Sequence, residues 1–313
     1  MLLALSPYHL TSREPAAMAA LTLADRVVTL IPTPAAMGDA VAVRAAAERS
    51  ARFVELLETW RWSTPLWDAD LVASAFEDED ARSDVEQVIG EIETDPTLAD
   101  LQHMFPARAR SHPGETAEES VLNAIARDLL RAGPNPAISI PVAAGLDRFA
   151  ARHDLIAVRA AGPSLAQVAE SRLATRLFRI AVPILTQASA ERLLEARTAL
   201  LTPLEQLRDA LNEAIVGIEQ HHARTAGAEY TDAFEAEREA LLRPEADDSM
   251  ARVRADTVVI EGVRLPHDAV LASSLTAARK ARGRPVPPEQ PVPRPALAEQ
   301  PDVLALVVRV MGR

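Results

Sequence analysis

Cysteine is absent from this sequence of 313 residues, which excludes disulfides, thiolate nucleophiles, zinc–thiolate sites and iron–sulfur clusters built from its own side chains. Lysine is almost absent too. Lys280 alone could form a Schiff base or reach a phosphate, and its neighbours from Ala278 to Arg284 do not form a glycine-rich loop. The 11 glycines make neither G-x-G-x-x-G nor G-x-S-x-G, which argues against a dinucleotide cradle or a hydrolase elbow. Long apolar runs are missing as well. Val303 to Met311 carries Arg309 and falls far short of the ~20 residues of a membrane helix. Met1 to Leu5 is too short for a signal core, so the chain reads as cytoplasmic.

Acidic residues outnumber basic ones by 45 to 33, a net charge of -12 that repels phosphate backbones and anionic membranes. Nucleic acid and membrane partners are therefore not expected. The basic residues are nearly all arginine, as the codon bias of a GC-rich genome would produce. With 48% hydrophobic and 25% charged residues, a packed core of ordinary size is expected.

The patterning predicts a helix-rich α/β fold: a small, mostly parallel sheet built from two β-α-β-like units, with long helical insertions and a C-terminal strand. The first unit spans residues 1–36, with strands at Met1 to Leu5 and Arg26 to Ile31 around a helix from Glu14 to Ala24. Thr11 and Glu14 have capping-box spacing, and Pro15 fits a first helical turn. A helical insertion covers 37–132. The second unit, 133–163, reads as a strand at Ala137 to Ile140, a helix at Val142 to His153 and a strand at Asp154 to Arg159.

A helical hairpin region follows at 164–245, beginning with a helix from Leu165 to Ile180 that Pro183 bends or ends. A later helix starts with Thr202 as cap and carries Leu204, Leu207, Leu211, Ala214 and Ile218 at heptad-like spacing. In 246–283, strand signals flank Glu261 and Gly262, which reads as a tight hairpin or a bulged strand, and a helix runs from His267 to Arg282. A proline-rich linker at 284–301 delivers the strand of 302–313, the strongest strand signal in the chain. All of this is expected to form one compact domain.

Two segments stand out chemically. The loop from Ser6 to Glu14 follows a strand and precedes a helix, the position where parallel α/β sheets bind ligands. It offers Ser6, Tyr8, His9, Thr11 and Arg13 as ligand-binding candidates, His9 as acid or base and Arg13 for a carboxylate or phosphate. Arg159 and Asn135 of the second unit are possible contributors. Trp60, Trp62 and Trp67 are all the tryptophans of a chain with only 4% aromatics, and such clustering suits either a packed corner or a partner surface. Leu304, Leu306 and Val308 of the last strand would join that partner surface if it paired with another chain.

Metal signals are weak. His221 and His222 are adjacent, so on a helix they point roughly 100° apart and cannot share an ion. Glu77 to Asp80 lacks the glycine and spacing of a calcium loop and reads as a solvated helix start. No metal or cofactor is expected, and no catalytic residue can be named. The leading expectation is an interaction or assembly component, with a protein partner or a homo-oligomer, acting through helical and C-terminal strand surfaces. The alternative is a small-molecule-binding α/β enzyme using the Ser6 to Glu14 loop.

Overall fold

Short aliphatic strands and longer helices alternate along the chain, and the strands assemble into one sheet. The computed structural model describes residues 1–11, 13–31, 51–75, 78–94, 136–160, 177–217, 220–244, 253–266 and 302–311. Strand β1 (Leu2–Leu5) leads through two helices, α1 (Pro7–Thr11) and α2 (Pro15–Leu23), to β2 (Arg26–Thr29). Helices α3 (Ala51–Trp60) and α4 (Thr64–Asp68) precede β3 (Val72–Ser74). Then come α5 (Glu79–Thr94), α6 (Pro136–Arg152) and β4 (Ile156–Ala160). Strand β5 (Phe178–Thr186) is followed by α7 (Ala190–Ala199), α8 (Leu201–Val216) and α9 (Gln220–Leu241), and the last strands are β6 (Arg254–Pro266) and β7 (Asp302–Val310).

The fold is α/β and helix-rich, around a seven-stranded mixed sheet in the order β3-β2-β1-β4-β7-β6-β5. The first five strands in that order are parallel, and β6 runs antiparallel between β7 and β5. The chain works outward from β1 to β3, then returns across β1 to β4. The reversal leaves a topological switch point between β1 and β4. The C-terminal strand β7 lies inside the sheet and alone joins its parallel half to its antiparallel half.

Helix α2 explains the core. Every residue from Ala16 to Leu23 is buried, as expected of a helix that is apolar on all sides. Its alanines let it lie close across the middle strands, where α7 and α8 pack against it. Burial leaves the carbonyls of its last turn without water, and two guanidinium groups replace it. Arg197 donates to Leu21 and Thr22 at 2.7 and 2.8 Å, and Arg208 donates to Leu23 while pairing with Asp25. Burial, with Arg208 beside it, lowers the Arg197 pKa to about 10. A third arginine, Arg192, caps α9 through the carbonyls of Ala240 and Arg243.

The opposite face of the sheet carries α6, which α5 backs. The buried pair Asp147–Arg159 ties α6 to β4, and burial raises the Asp147 carboxyl against the pull of Arg159. Gly145 lets the two helices touch, since a Cβ there would meet Val85 at 2.4 Å.

Several expectations need correction. Residues 137–140 are the first turns of α6, so the second unit is helix–strand without a leading strand; Pro136 starts that helix where its missing N–H costs nothing. Pro183 lies within β5 and does not end a helix there. It is tolerated because β5 is the edge strand. No turn forms at Glu261 and Gly262, because both lie inside one continuous strand, β6. Gly262 is there for the ring of Phe178, whose Cε1 would lie 1.5 Å from any Cβ. Glu261, 1% exposed, sits between Arg179 and Arg309 at 2.8 and 2.9 Å.

Thr202 does not cap α8, which starts at Leu201 directly after α7. Asp80 and Asp84 are not merely solvated: both pair with Arg152, and burial raises the Asp84 pKa. The heptad-like seam forms in Leu204, Leu207, Leu211 and Ala214, and it packs on α9, as a helical hairpin requires. Ile218, residues 165–176 of the expected 165–180 helix, the 267–282 helix and the proline-rich linker lie outside the described residues.

Two outcomes follow. Gly262→Ala is expected to cost about 2 kcal/mol in urea unfolding, and most of that loss should disappear when Phe178→Ala is already present. A chain ending at Arg284 lacks β7 and is expected to lose cooperative unfolding in circular dichroism, whereas a folded, cooperative product would refute the keystone role of that strand.

Candidate functional site

The segment after β1 is shaped by the end of a very short helix. Arg13 N–H reaches Leu10 O at 3.4 Å and Glu14 N–H reaches His9 O at 3.3 Å, which is the hydrogen-bond pattern of a Schellman end. Its left-handed seat, where glycine is usual, is held by Arg13 at φ 49°. That seat costs a non-glycine residue about 1–2 kcal/mol. The reversal turns Glu14 back toward the helix it has just left.

The result is a fixed imidazole. His9 Nδ1 lies 2.8 Å from Glu14 Oε2, and the backbone N–H of Ala160, the last residue of β4, points at His9 Nε2 from 3.4 Å. Because an N–H can only donate, Nε2 accepts and Nδ1–H donates to the carboxylate; the hydrogen-bond network assigns this tautomer. The ring therefore spans the switch point, joining the loop after β1 to the end of β4. The Ala160 contact is long for a hydrogen bond and is readily exchanged for another donor. A carboxylate-oriented histidine with an exchangeable Nε2 can give or take a proton.

The tryptophans belong to the same region. Trp60 is fully buried and its Nε1–H donates to Thr11 Oγ1 at 2.9 Å, while Thr11 donates to Pro7 O. Arg13 lies over the ring of Trp62 with its guanidinium carbon 4.6 Å from the centroid, a cation–π stack. Trp67 Nε1–H donates to Ser63 Oγ, which itself donates to Trp60 O. The two segments that looked separate in sequence are thus one structure, with α3 bracing α1.

Of the ligand-binding candidates, His9 and Arg13 are part-exposed, Thr11 is taken up with Trp60 and Pro7, and Tyr8 is buried. Ser6 is 7% exposed, and its hydroxyl has no partner among the described residues. Thr29, in register with Leu5 at the end of β2, is in the same condition. Arg159 is held by Asp147 and turns to the far face, and Asn135 lies outside the described residues. Among the partner-surface candidates, Trp60 and Trp67 are buried and Trp62 is half-buried. Leu306 and Val308 are buried in the chain's own sheet, and Leu304 is half-buried against the core.

Sequence reasoning missed Glu14 as the partner of His9, having read it as a capping residue. The spacing His-x-x-x-x-Glu across a helix end was the available signal. Ala160 could not be found without the strand order. Among the described residues, no three acidic or histidine side chains gather as metal ligands. No family model, curated protein or solved structure matches the chain.

Thr11→Val removes the acceptor of the buried Trp60 N–H. It should lower stability by about 1–3 kcal/mol and move the His9 ring signals in NMR, since α1 loses its brace. Unchanged His9 signals would show that α1 does not depend on Trp60.

Proposed function

We propose that the chain is a small-molecule-binding α/β protein whose ligand sits at the crevice between β1 and β4, with His9 exchanging a proton with it. One observation carries this reading: the His9 ring is held by Glu14 on one side and reaches the end of β4 on the other, across the switch point of the sheet. In open α/β sheets, ligands bind beyond the carboxyl ends of the strands at that point. The chemistry of the place agrees with the topology. Glu14 fixes the ring, and a ligand donor that displaces Ala160 from Nε2 meets a lone pair already aimed at it. Ser6, buried at the end of β1, adds a hydroxyl with its hydrogen-bonding capacity unused.

The features that suggested an assembly role also make contacts inside the molecule. The heptad-like seam packs on α9, Trp60 and Trp67 are buried, and β7 is an interior strand.

The test is a ligand-observed NMR screen of the full chain against a library of small polar metabolites. A binder whose affinity falls about tenfold or more in His9→Gln is expected, as for loss of one hydrogen bond to a polar or charged ligand group. Binders that all ignore His9→Gln, in a variant with unchanged melting, would sink the proposal.

A further inference from the structure

We infer that the ligand of this crevice carries an oxyanion, a carboxylate or a phosphate group, and that Arg13 anchors it; the inference rests on the reading above. The region holds a surplus of hydrogen-bond donors. The Arg13 guanidinium lies over Trp62 and makes no hydrogen bond or ion pair among the described residues. A guanidinium over an aromatic face uses the ring for its cation and not for its N–H groups, which are suited to engage two oxygens at once. The indole N–H of Trp62 is buried and finds no acceptor among the described residues. Ser6, 7% exposed, has an unused hydroxyl.

Guanidinium and indole groups donate only, so nothing already in this set can satisfy the others except the one hydroxyl. The nearest side-chain acceptors in sequence already hold other donors. Glu14 receives the His9 Nδ1–H, and Thr11 receives the Trp60 N–H. Each buried donor left without an acceptor costs about 1–3 kcal/mol. An acceptor-rich group from outside the chain could serve the Trp62 N–H and the adjacent Arg13 guanidinium together.

The rest of the molecule makes the contrast plain. Arg26, Arg152, Arg159, Arg179, Arg208 and Arg238 each pair with a carboxylate. In a chain with 45 acidic residues a partner for Arg13 was readily available, yet it has an aromatic face in place of one. A partner that arrives and leaves fits that arrangement: the platform orients the cation, and a ligand supplies the charge.

The experiment uses the full chain labelled with nitrogen-15, whose three tryptophans give three indole signals. Trp62 is assigned by its loss in Trp62→Phe. Inorganic phosphate and succinate are titrated separately, against sodium chloride at matched ionic strength and 1,4-butanediol as the neutral counterpart of succinate. The expected result is a saturable movement of the Trp62 signal with at least one anion and with neither control. In Arg13→Gln the affinity should drop about tenfold or more, with a smaller drop in Arg13→Lys, which keeps the charge and loses the fork. Saturation by phosphate alone marks a phosphoryl ligand, and by succinate alone a carboxylate.

A Trp62 signal that ignores both anions, or one that responds equally in Arg13→Gln, overturns the inference. If metabolites still bind through His9 in that event, the crevice reading stands and only the oxyanion falls. If no metabolite depends on His9 either, both fall.

Discussion

The structure depends on a helix with no side turned to water. Helix α2 can be central only if the polar ends of its backbone are satisfied without solvent, because each orphaned carbonyl in an apolar setting costs about as much as a lost hydrogen bond. Arg197 and Arg208 supply that satisfaction from α7 and α8. Their positive charge also opposes the negative end of the helix dipole. The long helical hairpin beyond β5 is therefore more than a cover for the sheet. It holds the cations that let the first α/β crossover lie so deep, and α2 in turn fixes where α1 and its histidine emerge.

This gives the arginine bias a physical use. A lysine has one flexible ammonium, whereas a guanidinium can serve two carbonyls in a planar arrangement and still meet a carboxylate. Arg197 spans Leu21 and Thr22, Arg192 spans Ala240 and Arg243, and Arg208 combines Leu23 with Asp25. Whatever set the codon preference, the fold has come to rely on forked cations at its helix ends.

Much of the architecture could be read from patterning. The alanine- and leucine-rich stretch after Glu14 read as a helix, and RVVTLI and the run from Val303 to Val310 read as strands. Strand β5 was missed because Pro183 looked like the end of a helix; only its place at the sheet edge makes a proline acceptable there. Glu261-Gly262 looked like a tight hairpin or a bulge because neither residue favours a regular strand. The reasons it is one, the Phe178 ring and the flanking arginines, come from neighbouring strands and have no local trace. At the site, the loop was visible as a cluster of polar residues after a strand. Its contact with β4 and its bracing by Trp60 were not, because both join residues far apart in sequence.

The interior position of β7 also constrains how the molecule comes into being. Val158 and Leu306 are direct neighbours in the sheet, although β5, β6 and the whole helical hairpin come between them along the chain. During synthesis the parallel half, β3 to β4, and the antiparallel ribbon, β5 with β6, each have an open edge until β7 arrives. Closing so long a loop slows folding, and open edges next to apolar surface invite pairing between chains. The alignment of the late strand is nonetheless well specified. A shift by one residue would turn Arg309 away from Glu261 and leave that carboxylate short of a cation in the interior. The cations on buried Glu261 thus act as a registration mark, rejecting misaligned insertions of the strand that completes the sheet.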